Sequence, residues 1–194
     1  SLSDVTALRT QTEAARLAAN RDPLTDLPNR RVFMARLAEA IERARTDRDF
    51  TFAVLFIDFD RFKLVNDSLG HRVGDQLLIS IGERMRAHAR GPDTVSRFGG
   101  DEFAILLAGI ADTDEAMRAG HRLLNVFATP HLVEGHDVAL TGSIGIVTSD
   151  LGYTNGDDVM RDADIAMYRA KASGRAQCAR FDEQMRREAL DRMA

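Results

Sequence analysis

Two acidic clusters in this chain have the residue types and placing to hold a divalent cation against a phosphorylated ligand. The first is Asp58-Phe59-Asp60, which closes the apolar run Thr51-Phe52-Ala53-Val54-Leu55-Phe56-Ile57. An apolar run without alternation reads as a strand buried on both faces. Carboxylates at the carboxyl end of such a strand stand where open α/β sheets place their ligands. The second cluster is Gly99-Gly100-Asp101-Glu102-Phe103, between Asp93-Thr94-Val95-Ser96-Arg97-Phe98 and Ala104-Ile105-Leu106-Leu107. This pattern predicts a strand, a two-glycine turn carrying two carboxylates, and a strand. The glycines supply the positive-φ backbone of a tight turn, and they leave room for phosphates to approach the main chain. Each cluster also has a plainer reading: a solvated hairpin tip for 99–103, and helix-capping aspartates for Asp58 and Asp60.

The elements that must position these acids can be read along the chain. Residues 1–21 are polar and alanine-rich, with Val5, Leu8, Ala15 and Ala18 on a rough helical stripe, which predicts an amphipathic or coiled-coil helix. Asp22-Pro23 ends it, because the residue before proline avoids the helical region. Asn29 is placed to cap a helix over 30–45 that turns Phe33, Leu37 and Ile41 to the core. A strand is expected over 51–58, helices over 61–68 and 72–90, a hairpin over 94–108 and a helix over 113–128. A short hairpin and a strand over 140–147 follow, then a helix over 156–173 stopped by Gly174, a strand over 177–181, and a helical extension over 182–194. The fold class is α/β (α+β), with a central, mainly antiparallel sheet flanked by helices, like a polymerase palm.

Taken together and in order, the motifs resemble the GGDEF domain, the diguanylate cyclase family. The opening signature is Asp22-Pro23-Leu24-Thr25-Asp26-Leu27-Pro28-Asn29-Arg30, and the segment from Asp58 to Asp75 is similar to the family's metal-and-guanine segment. The loop is Gly99 to Phe103, and the closing helix is Asp164-Ile165-Ala166-Met167-Tyr168-Arg169-Ala170-Lys171-Ala172-Ser173-Gly174-Arg175. The resemblance covers 22–181. It leaves 1–21 as an N-terminal signalling helix, and 182–194 as an extension similar to the connector that joins a GGDEF domain to a following EAL phosphodiesterase domain. The alternative for that extension is a tail packed on its own domain.

The resemblance implies an enzyme that joins two GTP molecules into cyclic di-GMP and releases two pyrophosphates. It implies two Mg²⁺ (or Mn²⁺) ions per active site, held by the carboxylates of Asp58 and Asp101 and the backbone carbonyl of Phe59. Glu102 belongs with Asp58 and Asp101 to the catalytic set. For GTP it implies the backbone N–H groups of Phe62 and Lys63 at a helix start, the approach left by Gly99 and Gly100, and the charges of Lys63, Lys171 and Arg175. Asn66 and Asp75 would read guanine, whose N1–H and N2–H₂ donors adenine lacks. Without the resemblance, Lys171 and Arg175 would read as cations suited to a helix C-terminus, and Asn66 and Asp75 as helix caps.

Arg90-Gly91-Pro92-Asp93 precedes the loop at the family's spacing for a product-inhibition site, completed by Arg118 or Arg122. The plainer reading is a salt bridge within a turn. One GTP per domain implies a homodimer for catalysis, with an N-terminal sensor and an EAL domain as expected neighbours in a longer parent. The competing readings are a catalytically silent GTP-binding module regulating an attached phosphodiesterase, a cyclic di-GMP receptor using Arg90 and Asp93, and another palm-type nucleotide enzyme. Intact Lys63, Asn66, Asp75, Lys171 and Arg175 favour the enzyme.

Bulk properties are consistent with this. A chain of 194 residues suits one domain with flanking segments. Net charge −4, 6% aromatics and no tryptophan argue against a nucleic-acid surface. One cysteine, Cys178, allows no internal disulfide, in keeping with a bacterial cytoplasm and a core position in the last strand. No apolar run approaches a membrane span, although the parent could still be membrane-anchored.

Overall fold

The computed structural model describes residues 2–193. Strand β1 (Phe52–Phe59) is buried over its first six positions and takes the centre of a five-stranded sheet of order β2-β3-β1-β6-β7. Here β2 is Thr94–Gly99, β3 Glu102–Ala108, β6 Gly142–Thr148 and β7 Cys178–Arg180. The β1–β3, β1–β6 and β2–β3 pairings are antiparallel, and β6–β7 is parallel. Strands β4 (His131–Val133) and β5 (His136–Val138) form a separate hairpin. The expected fold class is the one observed.

Side chains alternate along β1 and divide the core in two. Ala53, Leu55, Ile57 and Phe59 meet Leu77, Ile81, Met85 of α4 (His71–His88) and Leu123, Phe127 of α5 (Thr113–Ala128). Phe52, Val54 and Phe56 face Phe33, Leu37 of α2 (Arg30–Thr46) and Val159, Ala163, Met167 of α6 (Gly156–Ala172). Asp58 continues the second series, so its carboxylate is delivered to the face covered by α6. Helix α4 stops short of the expected 72–90 because Ala89 is extended, with φ −78 and ψ 145.

The capping residues act as the sequence suggests. Asn29 accepts from the Val32 N–H at the start of α2, while its Nδ2 donates to the Ala19 carbonyl at the end of α1 (Leu2–Asn20). One side chain thus joins the two helices. Helix α1 buries none of its residues, so the stripe of Val5 and Leu8 is left uncovered by this chain. Gly174 follows α6 at φ +119 as the expected terminator.

At the other end, α7 (Glu183–Asp191) packs back on α6. Its Arg186 donates to Asp162, whose side chain is 0% exposed and also accepts from the Tyr153 hydroxyl at 2.7 Å. Arg169 of α6 pairs with Glu188 of α7. A buried carboxylate needs partners of this kind, since an unpaired charge in the interior is strongly destabilising. The extension therefore behaves, within this chain, as a helix docked on its own domain.

His131 is fully buried between α4 and the β4–β5 hairpin. Arg84 donates to its Nε2 at 3.3 Å, so the ring hydrogen sits on Nδ1 and points to Ser80 Oγ at 2.7 Å. Burial, and then the Arg84 charge, push its pKa down to about 4. The unfolded chain takes up this proton near pH 6.5, before the folded one does. Stability is therefore complete above that pH and is lost as pH falls toward 4, by about 3 kcal/mol in all. Urea titrations at pH 7 and pH 4.5 should show a smaller loss for His131→Gln than for the wild type. Equal losses would contradict the assignment.

Candidate active site

The acids converge because of strand register. Asp58 of β1 is the Cα partner of Glu102 in β3, and opposite residues of an antiparallel pair project to the same face. Asp101, at the tip of the turn, brings its carboxyl within hydrogen-bonding reach of Asp58. Gly99 and Gly100 adopt φ +138 and +52, as the turn reading required, with open space around each. Like charges opposed across a ladder repel. Desolvation, then the hydrogen bond to Asp58 and its charge, push Asp101 up to about 7. Glu102 is raised by burial and then by Asp58 and Asp164.

Asp164, in the closing helix, is a further acid at this face and one to which the motifs assign no role. It stands on α6 seven residues before Lys171, hence on the same stripe. Desolvation and the Asp58 charge raise its pKa too. The i,i+7 spacing was the available signal. Opposing these four acids, Lys171 donates from Nζ to Asp58 Oδ2.

The acids fit a divalent cation by their chemistry. Several hard oxygen donors crowd one face, and the Asp58 charge helps raise the pKa values of Asp101, Glu102 and Asp164, a conflict that a cation relieves. Among the described residues, no three His, Cys, Asp or Glu side chains form a ready-made cage. A site with few protein donors suits Mg²⁺, which keeps waters and takes phosphate oxygens.

Asp60 does not cap the next helix. Its carboxylate accepts from Thr141 Oγ1 at 2.6 Å, Ser143 Oγ at 2.7 Å and the Ala176 N–H at 3.0 Å, tying the start of β6 to the turn after α6. This turn carries Arg175 in the left-handed region at φ 63. Helix α3 (Phe62–Leu69) is left without a side-chain cap, so the N–H groups of Phe62 and Lys63 have no carboxylate competitor at its start. Lys63 and Arg175 are both exposed.

Asn66 on α3 is packed against Gly74 on α4: a Cβ at Gly74 would lie 1.8 Å from Asn66 Oδ1. Asp75 is the next residue of α4 and is exposed. Its carboxylate is hydrated in the free protein, and a penalty for leaving it unpaired arises only when a base without matching donors covers it. Gly74→Ala should leave the fold intact, since alanine is the better helix former, while driving Asn66 out of place. We expect guanine-nucleotide affinity to fall about tenfold, ~1.4 kcal/mol, with little further loss on adding Asn66→Ala. Calorimetric titration of both variants checks this.

The signature turn is braced by two residues the sequence reading left unassigned. Arg97 donates to the Gly100 carbonyl from Nε at 3.0 Å and Nη2 at 2.8 Å, and to Asp22 Oδ1 from Nη1 at 2.8 Å. Asp22 also accepts from the Thr25 N–H and Oγ1. The opening motif and the turn are thus held as one unit, although 75 residues separate Asp22 from Arg97.

Away from this site, Arg90 and Asp93 form the turn salt bridge, with Nε–Oδ2 at 3.1 Å and Nη2–Oδ1 at 3.0 Å. They line a cleft shared with Arg122, whereas Arg118 pairs with Asp112. Cys178 is partly buried in β7, and burial pushes its thiol up to about 12. Among the described residues no helix is long and apolar enough to cross a membrane.

Comparison with known proteins accords with this geometry. Residues 19–177 match the family described as diguanylate cyclase, GGDEF domain. The chain is 43% identical over 170 residues to the diguanylate cyclase TpbB of Pseudomonas aeruginosa, covering 86% of this chain and 39% of that protein. It is 40% identical over 185 residues to the bifunctional diguanylate cyclase/cyclic di-GMP phosphodiesterase MucR of the same species, covering 95% of this chain and 27% of MucR. The chain therefore spans well under half the length of these relatives. Among solved structures, the coiled coil and GGDEF domain of DgcB from Caulobacter crescentus, in complex with c-di-GMP, superposes with a TM-score of 0.82 at 28% identity, covering 92% of this chain and 94% of that one.

Proposed function

This chain belongs to the GGDEF diguanylate cyclase family, and on that premise we propose that it condenses two GTP molecules into cyclic di-GMP. In each of two steps a ribose 3′-oxygen forms a bond to an α-phosphorus, the bond from that phosphorus to pyrophosphate breaks, and the hydroxyl proton is lost. The observation that carries the reading is the convergence of Asp58, Asp101 and Glu102 on one sheet face beside Lys171.

Asp58, Asp101 and the Phe59 carbonyl would hold divalent metal, Mg²⁺ or Mn²⁺, with Glu102 alongside. Bound there, the metal supplies charge neutralisation at phosphate and lowers the pKa of the attacking hydroxyl. The residues of the chain do the rest. The open start of α3, with Lys63, receives phosphate oxygens. Lys171 and Arg175 add charge that offsets the triphosphate. Gly99 and Gly100 admit the phosphates to the main chain, since no side chain stands over them. Asn66 and Asp75 select guanine, because adenine offers no donors where Asp75 requires them. Each domain holds one nucleotide, so two copies must face each other for ring closure, and the uncovered stripe of α1 suits such a pairing.

Arg90, with Asp93 holding it and Arg122 beside it, serves as the product-inhibition site; Arg118 is engaged with Asp112 and is the weaker candidate. The α7 extension, docked on α6 in this chain, is read as the link to a further domain, an EAL phosphodiesterase; MucR, whose name joins the cyclase and phosphodiesterase activities, supports that reading. The test is substrate discrimination: with Mg²⁺, GTP should release pyrophosphate and ATP should not. Equal turnover of both nucleotides would overturn the guanine assignment.

A further inference from the structure

Arg90 stands at the mouth of a small cleft of about 80 Å³, open to solvent, apolar at its floor (Ile105, Leu107, Leu123) and charged at its rim (Arg90, Glu115, Arg122). A guanidinium has five N–H donors. Those of Arg90 are nearly all committed. Nε donates to Asp93 Oδ2, Nη2 to Asp93 Oδ1 and to the Ala108 carbonyl at 3.3 Å, and Nη1 to Glu115 Oε1 at 3.2 Å. One Nη1 hydrogen remains. Recognition of guanine or phosphate by arginine uses two parallel N–H groups. Arg90 cannot offer such a fork until an acceptor is released.

The two carboxylates differ in how readily they can let go. The Asp93 side chain is 2% exposed and also accepts from the Arg90 and Ala108 N–H groups, so its release would strand several buried donors. Glu115, in the first turn of α5, is 24% exposed and makes one bond to Arg90. Its other oxygen accepts from the Ala111 N–H at 2.6 Å, which holds the carboxylate in place beside the cleft. Swinging Glu115 aside frees Nη1 entirely and removes a negative charge from the path of a phosphate-bearing ligand.

We propose that Glu115 gates the product site: its carboxylate competes with the guanine and phosphate acceptors of cyclic di-GMP for Arg90 and so sets the product concentration at which feedback begins. The inference rests on the reading of Arg90 as the product-inhibition residue. An ion pair this exposed contributes modestly, so its removal should tighten product binding about three- to tenfold. Glu115→Gln is the suitable variant, because the amide oxygen can still accept from Ala111.

The test is calorimetric titration of cyclic di-GMP into the full chain, without GTP or metal, for the wild type, Glu115→Gln and Arg90→Ala. The expected order is Glu115→Gln tighter than wild type, with Arg90→Ala showing no saturable binding. Damage to the start of α5 would weaken binding, not tighten it, so a gain in affinity identifies the gate. Equal or weaker binding by Glu115→Gln, with binding still lost in Arg90→Ala, would overturn the gate while leaving the site. Binding by Arg90→Ala like that of wild type, or no binding by the wild type, would overturn the inhibitory-site reading, and the gate with it.

Discussion

Replacing Asp101 with alanine is expected to abolish cyclic di-GMP synthesis while leaving the fold intact. Asp101 sits at the tip of a turn whose conformation is set by two positive-φ glycines and by Arg97 holding the Gly100 carbonyl. None of these needs the Asp101 side chain. Its carboxyl is also held against Asp58, with its pKa pushed up to about 7, so ionising it beside its neighbours opposes folding. The metal-free variant should melt no lower than the wild type. Catalysis differs, because removing a carboxylate that neutralises transition-state charge costs at least about 10³-fold, ~4 kcal/mol. Thermal melting and product assay on one preparation separate the two effects. A variant that is inactive because it is unfolded, or one that retains substantial synthesis, would contradict the assignment.

A second substitution should destroy the fold without touching a charged group. Gly145 of β6 faces α6, and a Cβ there would lie 2.1 Å from the Ala163 carbonyl oxygen and 2.3 Å from the Met167 nitrogen. Both are backbone atoms of a helix packed on the central strands, so no rotamer change relieves the overlap. Ordinary overpacking costs about 1–3 kcal/mol, and a backbone clash should exceed that range. Against a total stability of about 5–15 kcal/mol, Gly145→Ala should lower the melting temperature by about 10 °C or more, or prevent soluble expression. Gly91→Ala, with nothing within 4 Å of the added carbon, is the matched control and should melt with the wild type. A Gly145→Ala protein as stable as the control would show that α6 can move away from the sheet.

These two cases illustrate what the sequence could and could not disclose. The unbroken apolar run ending at Asp58 and the two-glycine turn are local signals, and the buried strand and the acidic hairpin tip were legible from them, whereas the strand order that brings the two together was not. The caps at Asn29 and Gly174 were legible for the same reason. Contacts between distant segments were not. Nothing near Arg97 in sequence points to Asp22, and nothing near Arg90 points to Glu115, because these pairs form only when strands and helices have packed. Asp164 lay between: its spacing from Lys171 was visible, but its approach to Asp58 depends on how closely α6 lies on β6. For Asp60 the capping alternative fails, because its partners Thr141, Ser143 and Ala176 lie at least 81 residues away in sequence and meet it only in the fold.

Two copies of this domain, each holding one GTP on the Asp58–Asp101 face, are expected to make one cyclic product. The most direct measurement is mass analysis of products after incubation with GTP and Mg²⁺ over a range of protein concentrations. Cyclic di-GMP should form, with a specific activity that rises with protein concentration as copies pair. GTP binding with no cyclic di-GMP at any concentration would contradict this and favour a regulatory GTP-binding module.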